Sequence, residues 1–344
     1  MYKFQIFVLL FLITVKFNAQ ELSAKVVDEN NEPLTGATVY FDGTSRGVLT
    51  NPRGIFNINI PQNLTNPTLV ISFMGYQTMF ETNIQNLKPV YQLKPKSENL
   101  DAVDLYSSPF TREEMFEVFK KYFLGNDRAS KKCKILNPED IILYYVVKEN
   151  KLYAKASAPI MVDNPYLGYK VRFDLEAFEI KYTYKTLSDH YLKQTFYAGF
   201  SFFEDVNPKK ESKRIKTYKG SLNHFFKKLI DSTLQDSKFK VAYRGFIAKP
   251  YNVFSVKPLG FTTYEISLKS NYIKLFNGKY LPTKLLLIYK KQRSTIQFSK
   301  PVFRVSNYGN LIDLQNLLLI GDLSENRIAK MLPVTFNLEK TFVE

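Results

Sequence analysis

The sequence predicts a mainly β protein: an N-terminal β-sandwich of about seven strands, then an α+β domain with a largely antiparallel sheet and two amphipathic helices. Three observations carry this. Residues 22–93 hold short apolar runs of period two, separated by turn-forming residues. Two stretches, after Thr111 and after Ser221, change to a helical period. Around them the alternation resumes in runs rich in aromatics, within a chain that has 29 Phe and 23 Tyr but no Trp. With 344 residues, 45% of them hydrophobic and 23% charged, the composition is that of a globular protein with room for two cores.

The chain opens with a short basic segment, Met1-Tyr2-Lys3, an apolar stretch from Phe4 to Val15, and Asn18-Ala19-Gln20. This is the pattern of a secretory signal peptide spanning 1–19, with cleavage expected after Ala19. The apolar stretch is too short for a membrane-spanning helix, and no cysteine follows to carry a lipid anchor. Loss of Lys3 and Lys16 lowers the net charge from +16 to +14, so the exported chain stays basic. Its single cysteine, Cys133, excludes an internal disulfide and is expected to be a buried, inert thiol.

Strands are expected at Leu22–Val27, Ala37–Phe41, Phe56–Ile60, Leu69–Phe73 and Val90–Leu93. Turns rich in Asp, Asn, Pro and Gly lie between them, and the whole of 20–95 reads as an immunoglobulin- or transthyretin-like sandwich. Here Pro33-Leu34-x-Gly36-Ala37-x-Val39, Thr50-Asn51-x-x-Gly54-x-Phe56 and Phe73-x-Gly75-Tyr76 resemble the carboxypeptidase-regulatory-like domain of many exported Bacteroidetes proteins. That name marks a likeness to a non-catalytic appendage of certain metallocarboxypeptidases, so the resemblance implies a fold and no peptidase activity.

Polar residues 96–110 read as a linker to a second domain over 111–344. Thr111-x-x-Glu114 forms a capping box, Met115, Phe116, Val118, Phe119, Tyr122 and Phe123 recur at helical spacing, and Gly125 can end the helix in the left-handed conformation. Strands follow at Ile141–Val147, Leu152–Ala156, Tyr169–Phe173 and Phe178–Tyr184. A second helix starts at Ser221 and buries Leu222, Phe225, Phe226, Leu229 and Ile230, which puts His224, Lys227 and Lys228 on or near its exposed side. Further strands are expected at 239–243, 262–268, 284–289 and 295–303. The motifs around Cys133-x-Ile135-Leu136-Asn137-Pro138, Asn164-x-x-Leu167-Gly168-Tyr169 and Arg214-x-x-x-Tyr218-x-Gly220-Ser221 are similar to a region found with this module in uncharacterised exported Bacteroidetes proteins, which implies no activity.

Recognisable catalytic chemistry is absent from the sequence. Two histidines, each without a glutamate at metallopeptidase spacing, do not make a zinc set. There is no Gly-x-Ser-x-Gly elbow, no phosphate-binding glycine loop and no dinucleotide fingerprint. Ser188-Asp189-His190 are sequence neighbours, which in a strand point to opposite faces, and Glu204 and Asp205 are adjacent, a poor spacing for a glycosidase pair. No catalytic, cofactor-binding or metal residue is therefore assigned. The one candidate site is cationic: Lys209, Lys210, Lys213, Arg214, Lys216 and Lys219, continued by Lys227 and Lys228. Such a cluster suits an anionic envelope component or an acidic protein, and is compatible with peripheral membrane association. A solvated loop and helix face is the simpler reading of it. Export disfavours nucleic acid. The expectation is a non-enzymatic protein of the periplasm or the periplasmic face of the outer membrane. The alternatives are a glycan- or peptide-processing enzyme and a small outer-membrane β-barrel.

Overall fold

The computed structural model describes residues 21–61, 64, 66–96, 108–313, 316–336 and 338. The segment 1–19 expected to be a signal peptide and most of the expected linker lie outside these residues. Buried side chains fall into three clusters, each between its own layers of secondary structure.

The first cluster belongs to the N-terminal sandwich. Its seven strands are β1 (Glu21–Val27), β2 (Thr38–Phe41), β3 (Gly47–Leu49), β4 (Ile55–Asn59), β5 (Leu69–Ser72), β6 (Met79–Glu81) and β7 (Val90–Gln92). They form one sheet ordered β4-β1-β7 and a second ordered β3-β2-β5-β6. Val26, Phe56 and Ile58 from one sheet meet Val39, Phe41 and Ile71 from the other. The turn before β4 requires Gly54: its φ is +73°, and a Cβ there would stand 2.5 Å from the Val26 carbonyl. The short strands β3 and β6 were not foreseen.

The second cluster lies under helix α1 (Arg112–Leu124). Its capping box is formed, Thr111 Oγ1 accepting from the Glu114 amide at 3.2 Å and Glu114 accepting from the Thr111 amide at 2.8 Å. Gly125 ends the helix with a positive φ of 108°, but its ψ of 177° makes the backbone extended instead of left-handed helical. The helix packs on a sheet of β8 (Lys134–Ile135), β9 (Ile141–Val146), β10 (Lys151–Ala156), β11 (Ile160–Asn164), β12 (Tyr169–Tyr182) and β13 (Leu192–Asp205). The two strands expected at 169–173 and 178–184 are one. Register shifts between Leu175 and Ala177, so the extra residue reverses the alternation. Tyr169, Val171 and Phe173 before the bulge and Phe178, Ile180 and Tyr182 after it therefore all reach the same core. α1 bridges the break, with Phe123 against Phe173 at 5.3 Å and Phe119 against Phe178 at 4.7 Å between ring centroids. β13 escaped the sequence reading because its middle, Phe196 to Phe203, is nearly all apolar and lacks the polar half of the pattern; Tyr197 to Phe203 are half-buried or buried, while Lys193, Gln194, Glu204 and Asp205 towards its ends are exposed.

Helices α2 (Glu211–Tyr218) and α3 (Leu222–Ile230) lead into the third cluster. One sheet takes β14 (Phe239–Tyr243), β15 (Phe246–Ala248), β20, β21 and β23, ordered β15-β14-β20-β21-β23. Helix α4 (Pro250–Val253) leads to a second sheet of β16 (Phe254–Pro258), β17 (Thr263–Leu268) and β22 (Val302–Ser306), and a separate hairpin pairs β18 (Lys274–Phe276) with β19 (Lys279–Leu281). The ranges of the others are Thr283–Tyr289 for β20, Gln292–Phe298 for β21 and Leu317–Gly321 for β23. α3 joins the two sheets: Phe225 meets Phe239 and Phe254, and Phe226 meets Phe303. The single run expected at 295–303 is split by the turn at Pro301, which cannot donate to a ladder. Among the described residues no sheet closes on itself, the six-stranded one branching where β13 pairs with β12, and each lies over a filled core. Among the described residues no helix is long and apolar enough to cross a membrane.

Candidate functional site

The eight cationic residues singled out in the sequence do not form one surface. Lys209, Lys213, Lys216 and Lys219 are exposed, along and just beyond α2. Lys210 and Lys228 are half-buried, and Lys227 is paired with Asp231 at 2.7 Å. Arg214 is only 4% exposed. Its guanidinium makes two 2.7 Å bonds to Asp205, donates to the carbonyls of Leu167, Gly168 and Asn207, and stacks 3.9 Å above the Tyr169 ring. It pins α2 to the ends of β12 and β13, and the guanidinium holds Asp205 below the ordinary carboxylate range.

His224 is not on the exposed side of its helix. It is buried among Tyr218, Phe239 and Tyr289, with Nδ1 accepting from the Gly220 amide at 3.0 Å. The turn at Gly220 delivers an amide that only a neutral imidazole can accept, and the third cluster wraps more of α3 than one amphipathic stripe. Burial, aided by Lys228 and Lys219, lowers its pKa to about 4.

The most developed polar constellation was not foreseen. On β12, Arg172 and Asp174 share the face opposite the apolar core, and the outer face of the β3-β2-β5-β6 sheet covers them. Asp174 accepts from Tyr40 Oη at 2.7 Å, Ser72 Oγ at 2.7 Å, Thr78 Oγ1 at 3.4 Å and Arg172 Nε at 3.1 Å. Arg172 donates onward to Thr38 Oγ1 and Ser72 Oγ. Burial, then Asp174, raises the Tyr40 phenol far above its ordinary pKa, so it remains a donor. Aromatic contacts flank the network, Tyr40 with Phe202 at 5.4 Å and Phe80 with Phe200 at 5.1 Å.

Beside this network the turn at 42–44 closes the free edge of β13. The Gly43 amide donates to the Ser201 carbonyl, the Phe203 amide to the Thr44 carbonyl, and the Ser201 amide to Asp42 Oδ1 at 2.6 Å. Desolvation raises Asp42 to about 6 against the pull of those amides. A glycine is needed at 199, where a Cβ would come within 2.3 Å of the Asp174 carbonyl. Arg172 and Asp174, alternating with Val171, Phe173 and Leu175, were the signal available in the sequence.

Residues 22–104 match the family model of the CarboxypepD_reg-like domain. This segment is a carboxypeptidase-regulatory-like domain. No curated protein and no solved structure matches the chain. The regulatory-like domain is not itself catalytic. Its second sheet is held against β12 and β13 by the Arg172–Asp174 network, so that face is already occupied within the molecule.

The residues that tempted a catalytic reading are engaged elsewhere. Asp189 binds Lys121 and Tyr122, while His190 is exposed and packs edge-on against Tyr191. Asp205 holds Arg214. Burial pushes the Cys133 thiol up to about 12, far from a thiolate at neutral pH. Among the described residues no three His, Cys, Asp or Glu side chains converge as a metal site. A crevice of about 10 Å³, lined by Gly220, Tyr289, Gln292, Ser294 and Asp322, offers one carboxylate, which accepts from the Arg293 amide.

Proposed function

We propose that the protein is an exported, non-enzymatic component of the cell envelope that binds an envelope protein or an anionic envelope component. The observation that carries this reading is the lysine ridge on α2. Lys209, Lys213 and Lys216 stand exposed, while the nearby Asp205 and Asp231 are bound to Arg214 and Lys227, so Glu211 on the same helix and Glu204 at the end of β13 are the acids left to face three lysines. The leader-like N-terminus and a regulatory-like domain built for packing support the same reading.

Affinity capture from a cross-linked envelope tests it. The wild-type chain should retain a reproducible partner that Lys209→Glu, Lys213→Glu and Lys216→Glu together release. Recovery of the same background with both chains would sink the proposal. Turnover of an envelope glycan or peptide by the purified protein would replace it with the enzymatic reading.

A further inference from the structure

Between residues 237 and 312 the sequence carries fourteen Lys and Arg and a single acid, Glu265. All fourteen are exposed, and among the described residues only Arg304 is in an ion pair, with Asp313. The same part of the chain exposes large apolar side chains at two hairpin tips. Each tip is a two-residue turn with both residues at positive φ, Arg244-Gly245 between β14 and β15 and Asn277-Gly278 between β18 and β19. Phe246 is 80% exposed at the first, Leu275 and Phe276 are each 65% exposed at the second. Tyr243 at the first tip touches Tyr272 at the base of the second hairpin, 5.0 Å between centroids, so the two hairpins leave the module side by side.

The register extends this surface over the sheet. Ile247 lies opposite Ala242, Ala242 opposite Leu286, Leu286 opposite Thr295, and Thr295 opposite Ile320. Opposed residues share a face, so an uncharged row crosses all five strands, about 19 Å at ordinary strand spacing, with Ile247 and Ile320 exposed at its two ends, Leu286 and Thr295 half-buried and Ala242 buried between them. Lys240 and Lys284 lie on the same face, two residues along from Ala242 and Leu286.

We infer that this end of the molecule docks on an anionic phospholipid surface, with Phe246, Leu275 and Phe276 entering the headgroup boundary and the neighbouring Lys and Arg holding lipid phosphates. Three arguments select this occupant. A second copy would bring two nearly acid-free surfaces together. A protein interface centred here would bury lysines, which interface cores exclude. At a bilayer, by contrast, apolar tips and cations work at the same depth, because long cationic side chains reach back to the headgroups while the rings enter. The inference does not depend on the lysine ridge of α2.

The chain has no tryptophan, so Phe276→Trp supplies a single reporter at the tip. With phosphatidylcholine vesicles containing phosphatidylglycerol its emission should shift to the blue, with little change on phosphatidylcholine alone. In co-sedimentation, Phe246→Ser with Phe276→Ser should weaken binding to the anionic vesicles about tenfold or more. Arg244→Glu with Lys274→Glu and Lys279→Glu should do the same, given about 1 kcal/mol, or roughly fivefold, per cation. Charge reversal at Lys209, Lys213 and Lys216 should leave vesicle binding in place, which separates this test from that of the proposed function. The inference is overturned if low-salt anionic vesicles do not bind, if binding ignores the tip substitutions, or if the reporter stays in water while the protein sediments. Self-association lost on Ile247→Ser would instead assign the face to a second copy.

Discussion

The regulatory-like domain's joint with β12 and β13 and the outer face of the C-terminal five-stranded sheet are opposite solutions to covering a sheet. In the joint, charged groups are buried and partnered: Asp174 is 4% exposed and holds Arg172, Tyr40 and Ser72. On the C-terminal face, Ile247 and Ile320 are half-exposed or more, and among the described residues the neighbouring Lys240, Arg244 and Lys284 are in no ion pair. A buried network with every member satisfied marks a contact already made within the chain. Apolar residues left in water beside unpaired cations mark a surface whose partner is another molecule.

Removing the carboxylate at the centre of the joint should have the largest effect. Asp174→Ala leaves a guanidinium, a phenol and a hydroxyl in the joint without their acceptor, and should cost about 3–5 kcal/mol in urea unfolding. Replacing the pair together, Asp174→Leu with Arg172→Met, should restore much of that loss. A double variant as unstable as the single one would show that the joint depends on its polar geometry and not on packing.

Two buried titratable groups should give the regions opposite pH responses. His224 has its folded pKa lowered to about 4, so its contribution is complete above the ordinary histidine range and is lost as pH falls toward 4. The span is worth about 3 kcal/mol. Asp42 is raised to about 6, so its contribution is complete below the ordinary carboxylate range and is lost as pH rises through 6, by about 2–3 kcal/mol. Denaturation from pH 4 to 8 should show Asp42→Asn flattening the loss on the alkaline side and His224→Gln the loss on the acid side. A wild-type profile level across the range, unchanged in both variants, would contradict both assignments.

Tyr40→Phe removes one of four donors to Asp174 and should cost about 1–2 kcal/mol. The smallest effect belongs to the exposed face: Ile320→Thr should move stability by no more than about 0.5 kcal/mol. A loss near that of a core residue there would mean that the face is covered within the chain, and the contrast between the regions would fail.

Much of this was legible in the sequence because it rests on local rules. The capping box at Thr111, the cap at Ser221, the turn at Gly54 and the alternating strands of the regulatory-like domain depend on neighbours a few residues away, and they formed where expected. β13 was hidden because its middle, Phe196 to Phe203, is nearly all apolar and shows no alternation. Arg214 and His224 looked like surface residues because nothing adjacent to them in sequence announces Asp205 with three carbonyls, or the amide of Gly220 in an aromatic cage.

The last segment separates the two kinds of information most clearly. The stretch from Ile328 to Leu338 is too short for a period to be judged from its sequence. In the fold, Ile328 is wholly buried in the second cluster, Asn164 donates to the Ala329 carbonyl, Arg327 to Thr195, the Val334 amide to the Gly43 carbonyl, and Phe336 meets Tyr218. The segment ties together the regulatory-like domain, the central sheet and the start of the third module. The sequence by itself determined the sandwich, the helices after Thr111 and Ser221 and the basic character, but not α2 or α4, since periodicity, capping and charge are local or additive. The tertiary structure alone decided which cations are pinned, which polar residues join the sheets and where the tail runs, because each depends on groups brought together from more than a hundred positions apart or on the burial that the assembled layers impose.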